Sequence, residues 1–170
     1  MTVIAWDGEV LATDTQCTLG NAKYQSPKAW YESVGGQACI ISGAGTLKNI
    51  HRHKDWLIRT SSMDGDIAPF SGREGRPNFP YADVENHYYQ FILVTKEGLL
   101  RYEGTPYPIV HGVNACAFGE ASDFAYGALA MGATAIEAVK VAIQYSHQCG
   151  GNVESYSLLK GDGHEEDKSK

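Results

Sequence analysis

The chain has 170 residues, of which 43% are hydrophobic and 20% are charged, and its formal net charge is −6. This size and composition predict one globular domain with an ordinary core. The acidic balance and the lack of Lys/Arg clusters in the sequence argue against the basic surface that nucleic acids need. No apolar run in the sequence approaches the roughly 20 residues of a membrane span. Neither nucleic acid nor a membrane is therefore an expected partner.

The pattern of apolar and turn residues predicts an α+β chain. Strands are predicted at 3–6, 9–12, 28–33, 38–42, 88–95, 99–102, 115–118 and 153–159. Helices are predicted at 46–59, 122–131 and 134–148. Asp7-Gly8 and Gly35-Gly36 are turn dipeptides that favour the first two hairpins. Thr134 followed by Glu137 is a capping box that starts the last helix.

This order of elements predicts a single domain over residues 1–160. Hairpins with helices grouped between them bury both sheet faces only by layering, with the sheets inside and the helices outside. The Gly- and Pro-rich segment 61–86 is predicted to be a long loop or lid, which either covers a cleft or packs between subunits. Residues 161–170 are predicted to be a disordered charged tail.

The cysteines indicate a reducing compartment. Cys17, Cys39, Cys116 and Cys149 are far apart and form no CxxC pair. The first residues lack the basic region and apolar stretch of a signal peptide, so the cytoplasm is the expected location. Cys149 as a nucleophile would need a low thiol pKa, which its glycine neighbours at a helix end do not favour.

His51 and His53 are the one pair with a spacing that invites a metal hypothesis. Residues i and i+2 of a helix point to different sides, so the two rings would not converge on one ion. We therefore predict surface polar residues here, and we expect no metal and no organic cofactor.

Thr2 is the most informative position in the sequence. Its side chain is small enough for the initiator methionine to be removed, which would leave a threonine with both a hydroxyl and a free α-amine. That amine, with an ordinary pKa of about 8, can take the proton from its own hydroxyl. Many proteins begin Met-Thr for no catalytic reason, so Thr2 needs support from other residues.

Asp14 and Lys28 supply that support. A buried lysine near the amine lowers the proton affinity of the amine and of the hydroxyl, and an aspartate paired with the lysine holds it in place. Asp14 closes the second predicted strand, and Lys28 begins the third. The alternative is a turn aspartate and a strand-end lysine, both of which are common.

Several short segments occur in a distinctive order along the chain. They are Thr2-Val3-Ile4-Ala5, Asp7-Gly8, 10–14 (VLATD), 18–21 (TLGN), Lys28, 42–46 (SGAGT), 118–121 (FGEA), 124–129 (FAYGAL), 135–138 (AIEA) and 149–153 (CGGNV). Together they resemble the proteasome β-subunits and the bacterial HslV peptidase, which are N-terminal-nucleophile (Ntn) hydrolases. The likeness covers most of the chain except 61–86 and the tail.

The resemblance implies a fold and a site. The fold would be the Ntn hydrolase fold, a four-layer αββα sandwich of two antiparallel sheets between helices. Thr2 would be the nucleophile and, through its amine, the base. Lys28 would tune the amine, Asp14 would hold Lys28, and the backbone N–H near Ala44 would stabilise the oxyanion.

Three positions depart from the family pattern. Glu120 stands where the family has the serine of its GSG turn, Ser146 where it has an aspartate, and Cys149 where it has a second serine. These are the groups expected to support the N-terminal amine, and Glu120 is a candidate for the missing carboxylate. If Met1 stays on, Thr2 has no free amine and the site is inert.

The sequence thus predicts a threonine-type endopeptidase subunit that hydrolyses peptide bonds once Met1 is removed. Its expected partners are a peptide or unfolded protein as substrate and further copies of itself in a ring, and whether it has an unfoldase partner stays open. Two alternatives stay open, namely a catalytically inactive ring subunit and a small-molecule Ntn amidohydrolase.

Overall fold

The computed structural model describes residues 2–64, 89–159 and 165–166. The predicted loop 61–86 lies outside the described residues from residue 65 onward, whereas 61–64 continue the first helix. Of the predicted tail, only Glu165–Glu166 is described. These two residues form a short strand that pairs with Glu154 and Ser155.

The described strands form two large antiparallel sheets and one small hairpin. Their bounds are β1 Ile4–Trp6, β2 Leu11–Asp14, β3 Gln16–Leu19, β4 Ala22–Gln25, β5 Ala29–Val34, β6 Gln37–Gly45, β7 Tyr89–Thr95, β8 Gly98–Tyr102, β9 Ile109–Gly112, β10 Cys116–Phe118, β11 Val153–Tyr156 and β12 Glu165–Glu166. The first sheet has the order β10-β1-β2-β11-β12, and the second has the order β5-β6-β7-β8-β9. Strands β3 and β4 form the separate hairpin.

Three described helices cover the outer faces of these sheets. Helix α1 (Leu47–Asp64) packs on β5, β6 and β7, while α2 (Ser122–Ala130) and α3 (Ala135–Tyr145) pack on the first sheet. The capping box at Thr134 and Glu137 is present and starts α3 as predicted. No helix in the described ranges has the length and apolar character that crossing a membrane requires.

Three hydrophobic cores separate the four layers. The first lies between α2/α3 and the first sheet and includes Val3, Ala125 and Val139. The second lies between the two sheets around Ile4 and Ile92. The third lies between the second sheet and α1 and is centred on aromatic and aliphatic side chains. The predicted αββα sandwich is therefore confirmed.

Some local predictions were wrong. The β3–β4 hairpin and β9 were not predicted, because their exposed residues lack an alternating apolar pattern. Strand β6 continues to Gly45 instead of stopping at Ser42. Helix α3 ends at Tyr145 instead of residue 148, so His147 lies beyond the helix and is exposed.

Candidate active site

Thr2, Asp14 and Lys28 come together at one end of the sandwich because three strand ends meet there. Thr2 lies just before β1, Asp14 is the last residue of β2, and Lys28 immediately precedes β5 of the other sheet. Strands β1 and β2 are antiparallel, with Ile4 opposite Thr13, so the start of one strand lies beside the end of the other.

The three side chains form one buried chain of polar contacts. The ammonium of Lys28 donates to Asp14 Oδ1 at 2.8 Å and to Thr2 Oγ1 at 3.3 Å. Asp14 is fully buried, and Thr2 and Lys28 are each 7% exposed. The Thr2 hydroxyl therefore lies beside a positive charge in a site that excludes most water.

Asp14 has further donors besides Lys28. The Val3 N–H donates to its Oδ1 at 3.0 Å, and the Gly150 N–H donates to its Oδ2 at 3.0 Å. Burying an ion pair is tolerated only where additional hydrogen bonds satisfy the charged atoms, and charge-assisted bonds of this kind are the strong ones. The Asp14 carboxylate thus links, by hydrogen bonds, the residues that precede β1 and β5 and the corner between α3 and β11.

Ala44 lies in β6, and its side chain is buried between the sheets. The β5–β6 ladder ends at the pair Ala29 and Ser42, whereas the β6–β7 ladder continues past Ala44. Ser42 Oγ donates to the Lys28 carbonyl at 2.8 Å, which fixes β6 beside the start of β5. Ala44 therefore lies two residues after Ser42, which binds the Lys28 carbonyl.

Glu120 lies in the turn between β10 and α2, and its side chain is exposed. The neighbouring Ala121 N–H donates to the Thr2 carbonyl at 3.4 Å, so the turn itself contacts the nucleophile candidate through its backbone.

Ser146 and Cys149 lie at the corner between α3 and β11, and both are buried. Burial, reinforced by the negative charge of Asp14, raises the pKa of the Cys149 thiol to about 11, although Lys28 and a hydrogen bond from Ser146 act in the other direction. Ser146 Oγ also accepts from the Gln148 N–H at 3.1 Å. A neutral thiol near the ion pair is not an activated cysteine nucleophile.

His53 is not the surface residue that the sequence suggested. Its ring is fully buried, stacks on Phe91 at 4.2 Å and contacts the Tyr89 hydroxyl through Nδ1 at 3.2 Å. Burial lowers its pKa to about 3. His51 instead lies against Trp30, so the two histidines point apart as expected. Within the described ranges, no group of three His, Cys, Asp or Glu side chains is placed to hold a metal ion.

The N–H groups of Val3 and Gly150 that bind Asp14 were not predicted, because backbone groups have no side-chain signature. The turn at Gly119 belongs to segment 118–121 (FGEA), which the sequence singled out, but its backbone contact with Thr2 was not predicted. The available signal was glycine itself, because Gly119 has φ = +94° and contacts the Thr2 backbone.

The fold and the site define a class: an αββα sandwich with a threonine, an aspartate and a lysine joined at one end of its sheets. The fold matches 255 chains of solved structures. One is eukaryotic HslV from Trypanosoma brucei, with a TM-score of 0.58, 16% identity and coverage of 91% of this chain and 97% of that chain. No protein-family model matches the sequence, and no curated protein is significantly similar to it. The chain has an HslV-like, proteasome-like fold.

Proposed function

We propose that this chain is a threonine-type endopeptidase subunit in which Thr2, exposed by removal of Met1, attacks peptide carbonyls. The observation that carries the proposal is the position of the Lys28 ammonium, 3.3 Å from Thr2 Oγ1 and 2.8 Å from the buried Asp14 carboxylate. A structural ion pair needs no hydroxyl as a further partner, whereas an N-terminal nucleophile benefits from a nearby cation.

In the proposed reaction, the free α-amine of Thr2 takes the proton from Thr2 Oγ1 as the oxygen bonds to the substrate carbonyl carbon. The resulting oxyanion accepts a hydrogen bond from the backbone N–H near Ala44. The amine then gives its proton to the leaving amino group, and an ester between Thr2 and the acyl fragment is left. Water, deprotonated by the same amine, hydrolyses this ester and regenerates the hydroxyl.

The ion pair has two functions in this scheme. The Lys28 ammonium favours the deprotonated forms of both the amine and the hydroxyl by its charge. Asp14 keeps Lys28 in position and, through the Val3 N–H, also holds the residue that follows the nucleophile. The proposed site needs no metal and no organic cofactor.

A catalytically inactive ring subunit is the second candidate. Two residues near Thr2 favour it. Glu120 is exposed and the Cys149 thiol is neutral, whereas the family that the sequence resembles has serines at both positions. Both candidates share the proposed assembly into a homo-oligomeric ring. The active form would take peptides or unfolded chains, delivered by an unfoldase partner.

The first experiment is an intact-mass spectrum of the protein from its native host or a processing-competent one. Loss of methionine is expected, and Thr2→Ala is then expected to abolish peptide hydrolysis, while Thr2→Ser retains part of it. Circular dichroism and native mass must show that both variants fold and assemble like the wild type. Retention of Met1 would refute the proposed peptidase and leave the inactive subunit, whereas unchanged turnover in Thr2→Ala would refute Thr2 as the nucleophile.

A further inference from the structure

The peptide group that joins Thr2 to Val3 is held on both of its sides. We propose that the turn Gly119–Ala121 is a positioning element for the Thr2 nucleophile and that Gly119 is its positioning residue. The expected effect on catalysis rests on the proposed function. The contacts between the turn and Thr2 do not depend on activity.

Two hydrogen bonds fix the orientation of this peptide group. The Thr2 carbonyl oxygen accepts from the Ala121 N–H at 3.4 Å, and the Val3 N–H donates to Asp14 Oδ1 at 3.0 Å. In a trans peptide the C=O and N–H point in opposite directions, so the plane is held from opposite sides. A fixed plane fixes the position of the Thr2 Cα, and the bond from the Lys28 ammonium to Thr2 Oγ1 then sets the direction of the side chain.

Gly119 makes this close approach possible. Its φ of +94° is a left-handed conformation, which side chains other than glycine rarely adopt. A Cβ at this position would overlap the carbonyl oxygen of Thr2 and approach the carbonyl carbon. Both are backbone atoms, so they could give way only if Thr2 itself moved. The absence of a side chain at Gly119 therefore sets where Thr2 lies.

The turn is a rigid support because it is anchored on both sides. Phe118, which precedes it, pairs with Ile4 in the β1–β10 ladder. On the other side Ala121 is the N-cap of α2, and the Ser122 N–H donates to the Gly119 carbonyl at 3.1 Å. Helix α2 in turn buries Ala125 against the first sheet. A shift of the turn would therefore have to move β10 or α2.

The test compares Gly119→Ala with Gly132→Ala. Gly132 has nearly the same backbone conformation, φ = +89°, but a Cβ there would meet nothing within 4 Å. Both variants suffer the same left-handed strain, and only Gly119→Ala displaces Thr2. A displacement of about 1 Å at a reacting group lowers rates on the order of 100-fold. We expect that loss in kcat for Gly119→Ala with KM within about threefold, and wild-type kcat for Gly132→Ala.

Equal kcat values in the two variants would overturn the inference, because strain alone would then explain both. Amide hydrogen exchange in the wild type tests the geometry without any activity. The Ala121 and Val3 amides should exchange as slowly as those of β1, and free exchange at Ala121 would also overturn it. An inactive wild type with protected amides would refute the proposed peptidase but not the positioning. If Gly119→Ala fails to fold, the exchange result decides alone.

Discussion

Two of the regions that the structure describes bury ionisable side chains in opposite ways. At the end of the sheets, Asp14 and Lys28 are buried as an ion pair, and the carboxylate also accepts two backbone N–H bonds. On the buried face of α1, His53 lies among Phe91, Tyr102 and other aromatic rings, and burial lowers its pKa to about 3.

The difference shows what burial demands of a charge. An isolated buried charge is costly, so a titratable group either finds partners or becomes neutral. His53 is neutral and packs as one more flat ring of the third core. Asp14 and Lys28 form an ion pair, and the Lys28 ammonium also donates a hydrogen bond to the Thr2 hydroxyl. Under the proposed function, this second arrangement is the one that takes part in proton transfer.

The largest expected effect comes from breaking the ion pair. In Lys28→Met the Asp14 carboxylate stays buried without a cation, which destabilises proteins by about 3–5 kcal/mol. We expect a loss of that size in the free energy of unfolding measured by urea titration. Peptide hydrolysis should also disappear if the proposed function holds.

The double variant Lys28→Met/Asp14→Asn is the matched control. The side-chain oxygen of the asparagine at position 14 can still accept one backbone N–H bond, but no uncompensated charge is left. The double variant should therefore be more stable than Lys28→Met but less stable than the wild type, because one buried N–H loses its acceptor, and it should not recover activity. If the double variant is no more stable than Lys28→Met, the buried charge is not the source of the loss.

A smaller effect, dependent on pH, is expected at His53. An unfolded chain protonates this histidine near pH 6.5, whereas the folded chain keeps it neutral down to about pH 3. Between these values the unfolded state binds more protons, so stability falls as pH falls. From pH 7 to pH 5 the wild type should lose about 2 kcal/mol more than His53→Phe in urea unfolding.

Tyr89→Phe serves as the control for this measurement. It removes the hydroxyl that contacts His53 but leaves the titrating ring in place. It should lower stability at every pH and keep the wild-type pH dependence. A His53→Phe variant with the wild-type slope would show that His53 is not the group responsible.

The smallest expected effect concerns the thiols, which extend the comparison to uncharged groups. Burial raises the pKa of Cys39 and of Cys116 to about 12 and that of Cys149 to about 11. Iodoacetamide at pH 7.5 should therefore label the partly exposed Cys17 first, with a single adduct by intact mass. Labelling of Cys149 as fast as Cys17 would contradict the neutral, buried thiol described near the ion pair.

The fold was largely predictable because its elements carry strong local signals. The hairpin dipeptide Asp7-Gly8, the capping box at Thr134 and the apolar strand 89–95 each indicate one structure on their own. The β3–β4 hairpin was missed because β4 exposes every residue, so no buried face marks it. Its Gly20-Asn21 turn was the one available signal.

The candidate site was predictable only in part. Threonine, aspartate and lysine at three strand ends could be proposed from their types and order, and the structure brings their side chains together. The buried face of α1 includes the polar Asn49 and His53, whereas Leu47 is 52% exposed. Polar residues in a core position give no periodic signal, and neither do the backbone N–H groups that bind Asp14.

The strand order of the first sheet also bears on how the chain is made. Strand β2, which is synthesised early, pairs on one side with β11, and β1 pairs with β10. Asp14 receives its Gly150 partner only when this late segment has folded against the early hairpin. A nascent chain on the ribosome therefore carries Thr2 and Lys28 long before it carries an assembled site. The first sheet must therefore be completed after synthesis of β11 before Thr2 can carry out any chemistry.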